Sequence, residues 1–199
     1  MAYTLTQWGY EIDGTLAPLI DYETFCDLTG FAWASDTRVY PAMAAASAAI
    51  RNYCRWHVAP SMPCRATIDT DGSASLWLPT RFMTSVTSVQ AHGAEITDYQ
   101  WSRLGQVLPS SRVAPGLQAA TVEYVAGLEI TDDLAAVVAA VVAHTIAVTP
   151  TSYGVISESA GGVSITRAQG AAYGGISATL SDSEREALAP YRVVRAHAT

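Results

Sequence analysis

The stretch from Thr131 to Pro150 leaves the chain few choices. Thr131 is a good N-cap, and Asp132 and Asp133 sit where the positive end of a helix dipole favours anions. Leu134, Val137, Val138, Val141, Val142, Thr145 and Val148 recur at helical spacing, and the gaps are mostly Ala, the best helix former. Pro150 stops the helix. No formal charge falls between Leu134 and Val148, so the helix has no obvious wet face and must be buried on most sides. At roughly 25 Å it is too short in its uncharged run for a comfortable membrane span. Val137, Val138, Val141, Val142 and Ile146 are its packing residues, against the rest of the chain or against another subunit.

The chain has 199 residues, half of them apolar. That supports one sizeable core with room for a subdomain. No run of about 20 apolar residues marks a membrane anchor. The first residues, Met-Ala-Tyr-Thr-Leu-Thr-Gln-Trp, lack the basic region and apolar core expected of a signal peptide. Three cysteines, Cys26, Cys54 and Cys64, suit free thiols in a reducing compartment. The net charge is −7 and every basic residue is Arg. Without Lys there is no P-loop, no Schiff-base amine and no Ser-x-x-Lys acyl enzyme. The acidic balance argues against a nucleic-acid-binding outer surface.

Residues 1–20 alternate weakly and turn at Asp13-Gly14, as an extended arm or an edge strand of the same domain. Asp21 caps a short helix, Tyr22 to Thr29, closed by Gly30, with Phe25 and Leu28 inward. Asp36 to His57 reads as a second long helix with one apolar stripe of Val39, Met43, Ala46, Ile50, Tyr53 and His57. Pro41 calls for a kink or a start near Tyr40, and Arg51 and Arg55 pair as like charges facing outward. From Cys64 the period changes to two. Arg65 to Asp69, a Thr70-Asp71-Gly72 turn and Ser73 to Leu78 read as a hairpin. Ser85 to Ala91 turns at His92-Gly93 into Ala94-Glu95-Ile96, and short strands follow around Trp101, Val107 and 118–125. The Gly- and Ser-rich stretch from Tyr153 to Gly175 reads as a long arm ordered by a partner, with an ordinary flexible loop as the alternative. Ser181 or Asp182 caps a last short helix, Ser183 to Leu188, before a tail from Pro190.

The expected fold class is α+β. Two long and two short helices bundle around an inserted small antiparallel β-subdomain and end in a long flexible C-terminal arm. The divisions are 1–20 (arm), 21–63 (helical part), 64–126 (β-subdomain), 127–150 (central helix), 151–180 (extended arm) and 181–199 (short helix and tail).

Candidate chemistry is thin. Cys54, His57 and Cys64, with Cys26 as a fourth ligand, have zinc-like spacing. The alternative is a small packed thiol and a satisfied helix-end histidine. There is no Gly-x-Ser-x-Gly elbow, although a Ser-His-Asp set is open to so Ser-rich a chain. His144 reads as a hydrogen-bonded core residue, and Asp132-Asp133 as caps before an acid/base pair. The paired glycines at 161–162 and 174–175 do not open a helix after a strand, so they make no phosphate cradle. The aromatics lack basic interleaving for base stacking.

The order of motifs carries more. Ala46-Ser47-Ala48-Ala49-Ile50-Arg51-Asn52-Tyr53-Cys54-Arg55-Trp56-His57-Val58-Ala59-Pro60 resembles the signature helix of the head–tail connector (adaptor, or head completion) proteins of tailed bacteriophages. Leu78-Pro79-Thr80, Val86-Thr87-Ser88-Val89, Asp98-Tyr99-Gln100-Trp101 and Gly105-Gln106-Val107-Leu108 are similar to their central strands and next hairpin. Val122-Glu123-Tyr124-Val125-Ala126-Gly127 with Asp133-Leu134 resembles the strand leading into their last long helix. Ser157 to Ser164 resembles the arm. Leu180-Ser181-Asp182-Ser183-Glu184 and Pro190-Tyr191-Arg192 resemble the C-terminal end. The likeness runs from about residue 22 to 192 in this numbering.

The resemblance implies a structural virion protein of the neck, made in the host cytoplasm, with no catalysis and no cofactor. It implies a homo-oligomeric ring, a dodecamer, docked on the portal. The ring extends the DNA channel and provides the platform for the next neck or tail protein. Genomic DNA would pass without sequence-specific binding, and no membrane is involved. Strand addition by the arm suits portal or neighbour binding through Tyr153, Val155, Ile156, Val163, Ile165, Arg167 and Tyr173, with Tyr191 and Arg192 beyond it. The competing expectations are another neck protein such as a tail terminator, a small zinc-dependent or hydrolytic enzyme, and a host-binding module.

Overall fold

The computed structural model describes residues 3–30, 37–148, 157–160, 163–166 and 178–194, and only the backbone at 148, 157–160 and 163–166. In chain order the first elements are β1 (Tyr3–Leu5), β2 (Glu11–Asp13), α1 (Tyr22–Thr29), α2 (Val39–Cys54) and β3 (Met62–Thr70). Then come β4 (Leu76–Trp77), β5 (Met83–Ala91), β6 (Ala94–Glu95), β7 (Tyr99–Ser102), β8 (Gln106–Pro109) and β9 (Gly116–Ala126). The last are α3 (Asp132–Val148), β10 (Ser157–Ala160), β11 (Val163–Thr166) and α4 (Asp182–Leu188), followed by a 3-10 turn at Ala189–Tyr191. The architecture is mixed α+β. Among the described residues no helix is long and apolar enough to cross a membrane.

The main sheet is antiparallel, in the order β1-β2-β3-β9-β5-β6. Alternation along β3 and β9 sorts its two faces. Cys64, Ala66, Val122, Tyr124 and Ala126 are buried on one face and join Phe25, Ile50, Val138 and Leu188 of the four helices in one core. The opposite face is polar. Glu11, Arg65, Glu123 and Ser88 lie in a row across β2, β3, β9 and β5. The Arg65 guanidinium lies 2.9 Å from Glu123, 3.5 Å from Glu11 and over the Tyr3 ring. A second sheet, β4-β8-β7, stands beside it.

Several local expectations change. The first residues are an edge hairpin, β1–β2, hydrogen-bonded to β3 through Ile12 and Cys64. The expected hairpin between Arg65 and Leu78 does not form. β3 pairs with the long β9 instead, whose Ala120, Val122 and Tyr124 supply the buried alternation that the Ser- and Ala-rich stretch after Gly72 lacks. At His92-Gly93 both residues have positive φ (49° and 79°), the geometry of a tight two-residue hairpin turn. In α1, Asp21 caps the N-terminus and Phe25 is buried, but Leu28 is exposed.

α2 ends at Cys54, not at His57, because Arg55 takes the left-handed conformation at φ 65°. That turn sends Trp56, His57 and Val58 into the core and leaves Tyr53 half-buried, its hydroxyl donating to the Arg185 carbonyl. The stop expected at Pro150 lies outside the described residues; described helix α3 runs to Val148.

Gly127 marks the exit from β9 toward α3. Its φ is +125°, and a Cβ there would collide with the Pro60 carbonyl. Its N–H donates to the Phe82 carbonyl at 3.0 Å. Gly127→Ala is expected to destabilise the chain by about 3 kcal/mol or more, while Gly93→Ala, with open space around it, loses only about 1 kcal/mol. Urea midpoints of the two variants check the difference; equal losses would mean that the Pro60 contact yields.

Candidate assembly surface

Of the residues with zinc-like spacing, His57 belongs to a sealed hydrogen-bond network rather than to a ligand set. The His57 ring bonds the Ala126 carbonyl through Nε2 at 2.9 Å and the Tyr10 hydroxyl through Nδ1 at 2.8 Å. A carbonyl only accepts, so Nε2 carries the proton and Tyr10 donates to Nδ1. The Tyr10 oxygen in turn accepts the His57 backbone N–H at 2.9 Å. Burial, with Arg51 nearby, pushes the imidazole down to about 4, so it stays neutral at neutral pH.

Arg51 corrects the sequence expectation. It is buried and does not pair outward with the exposed Arg55. Its Nε donates to the His57 carbonyl at 2.9 Å, and one terminal nitrogen to the Ala17 and Ala59 carbonyls at 2.8 and 2.9 Å. Burial lowers it to about 10, so it remains a cation held by carbonyl dipoles. The signal was the small residues one turn to either side: Arg51 lies three residues before Cys54 and four after Ser47, both buried, on a face of α2 beside the apolar stripe.

Burial pushes the Cys54 and Cys64 thiols up to about 12, which leaves them protonated and poor as nucleophiles or ligands. Among the described residues no group of three His, Cys, Asp or Glu side chains could hold a metal ion.

α3 packs against α1, α2 and α4 of the same chain. Val138, Val141, Val142 and Ile146 are buried there and Val137 half-buried, while Ala136, Ala140 and Ala147 stay exposed. His144 is not in the core: its side chain is 40% exposed and 3.8 Å from Glu184 of α4. Glu184 also closes a capping box with Ser181.

Tyr191 and Arg192 hold the tail to the end of α2. The Trp56 indole donates to the Tyr191 carbonyl at 2.7 Å, and Arg192 covers the Tyr53 ring. Val163 and Ile165 sit in β11, paired with β10. Tyr153, Val155, Ile156, Arg167 and Tyr173 lie outside the described residues.

The expected hairpin of short strands at Trp101 and Val107 forms as β7–β8, but sequence reasoning missed how much apolar surface the small sheet exposes. Trp77, Trp101, Leu104 and Leu108 are all exposed there, Trp77 at 58%. The signal was two tryptophans in short strands with too few apolar neighbours to bury them.

No family model matches this chain, and no curated protein matches it. Among solved structures, it is similar to a chain from the neck of an empty gene transfer agent (GTA) particle, computed with C6 symmetry. The TM-score is 0.60 at 17% identity, over 96% of this chain and 98% of that one. The two share a fold.

The His57 network sets a pH dependence. The unfolded imidazole titrates near 6.5 and the folded one near 4, so the unfolded chain binds the extra proton between those values. Its contribution is complete above pH 6.5 and is lost as pH falls toward 4, about 3 kcal/mol in all. Denaturant titrations at pH 7 and pH 4.5 are expected to show His57→Gln losing less stability on acidification than wild type. A wild-type-like loss would place the titration elsewhere.

Proposed function

We propose that the chain is a structural protein of a phage-like neck, a head-to-tail adaptor. In this reading its copies form a closed ring on the portal, extend the DNA channel and present the platform for the next neck or tail protein. One observation carries the proposal: the fold is shared along nearly the whole length of both chains with a component of a GTA neck. The connector-like order of motifs from residue 22 to 192 adds an independent line of support.

A dodecamer contains the six-fold axis with which that neck was computed. The proposed role is structural and located at the virion neck, and the neutral, doubly bonded His57 and the protonated thiols offer no activated group for catalysis. An acidic chain without Lys suits a channel wall along which DNA slides, since phosphate contacts by cations are what hold DNA. A tail terminator would lack the long helix preceding the β-region. Here α2 is present and lies beside α3, with Arg38 at its start donating to the Ile146 carbonyl near the end of α3.

We also propose the division of the chain into an arm at 151–180, flanked by the central helix and the short C-terminal helix. Tyr153, Val155, Ile156, Val163, Ile165, Arg167 and Tyr173 are the proposed contacts to portal or neighbour, with Tyr191 and Arg192 at its base. Imaging of the chain mixed with its portal protein is expected to show a ring stacked on the portal axis. Cleavage by protease within 153–173 is expected to fall on assembly. Equal cleavage in both states would remove the arm from the interface, and an unoccupied portal would remove the adaptor role.

A further inference from the structure

The lobe built from residues 74–82 and 99–109 differs from the rest of the chain. It holds Arg81 and Arg103 and no carboxylate, in a chain of net charge −7. Among the described residues, neither arginine forms a salt bridge. Met83 N–H donates to the Arg103 carbonyl at 2.9 Å, and Leu78 N–H to Gly105 at 2.8 Å, so the β7–β8 turn lies against the 78–83 segment. Register then places the apolar groups. Trp77 lies opposite Gln106, with Leu108 two residues along the same face of the sheet. Trp101 lies opposite Val107 on the other face, at the free edge β7, and is 41% exposed. Leu104 caps the tip at 57% exposure. Aromatic residues with arginine and without acids are the composition of an interface core. Apolar groups on both faces and at the tip suit a lobe that inserts into a partner.

We infer that this lobe is one half of the contact between neighbouring copies of the chain, and that it docks on an acidic part of the next copy. The inference rests on the ring proposed above and adds which surface closes it. The occupant follows from charge: with two unpaired arginines and no acid in the lobe, the remainder of the chain is more acidic than the whole. A second copy therefore carries a surplus of carboxylates outside its own lobe for these two arginines to meet. The two patches differ, so the contact is head-to-tail, the kind that closes rings. Because Arg103 is exposed and Arg81 partly so, the contact weakens as salt rises.

The test is photo-crosslinking of the full chain with p-benzoylphenylalanine in place of Trp77, and separately in place of Leu117, an exposed position outside the lobe. It is run on the free chain at high concentration and on the chain assembled with its portal. A copy-to-copy product from position 77 and not from 117, mapped by mass spectrometry to peptides carrying Asp or Glu, is expected. The pair Arg81→Glu and Arg103→Glu is expected to weaken self-association by about tenfold or more, with an unchanged near-UV spectrum as the check on folding. Rings seen on the portal without a copy-to-copy product at 77 would overturn the lobe contact and leave the adaptor reading standing. A product from 77 to the portal or to another neck protein would assign the lobe to that partner and overturn the inference. Copy-to-copy products without any ring would uphold the contact and count against the adaptor.

Discussion

A single buried cation organises the junction between helix and sheet. Arg51 reaches from α2 to carbonyls at 17, 57 and 59, which belong to the segment before α1 and to the turn after α2. A guanidinium fixed by carbonyls and no carboxylate is an uncommon way to hold a charge inside, and it depends on every donor finding its acceptor. The turn it braces delivers His57, whose ring then reaches Ala126 at the end of β9 and Tyr10 beside β2. Thus one helix end, the edge hairpin and the central strand are tied through two side chains. The tail joins the same place: the Val193 N–H donates to the Cys54 carbonyl, and Trp56 holds Tyr191.

Elements with local causes were legible in the sequence. α3 follows from its Ala and Val spacing, α1 from Asp21 and Gly30, and the β5–β6 turn from His92-Gly93. What failed was long-range choice. β3 had a nearby candidate partner after Gly72, yet it pairs with β9, some fifty residues further on, because only β9 brings enough apolar alternation to cover that face. Loop closure over such a span adds little penalty, so burial decides. Arg51 was misplaced for a related reason: charge predicts exposure until distant carbonyls converge on it.

The candidate surface was less legible than the fold. Val138, Val141 and Val142 were open to packing against the chain itself or a neighbour, and three helices of the same chain cover them. A cluster of exposed apolar groups sits instead on Trp77, Trp101 and Leu108, in strands too short for periodicity to sort inside from outside, and on Leu104 in the turn between two of them. Binding surfaces need apolar groups that folding leaves uncovered, which is the reverse of the signal that finds a core.

The row formed by Glu11, Arg65, Glu123 and Ser88 has a consequence for alignment. Arg65 engages carboxylates from strands on either side of it, so three segments far apart in the chain are gauged against one another by a single guanidinium. Were β3 to slip by one position, Arg65 would face the apolar layer and Cys64 the solvent. The misaligned sheet would carry an ion without counter-ions in its interior, and that state is excluded far more firmly than loss of a surface ion pair alone would suggest.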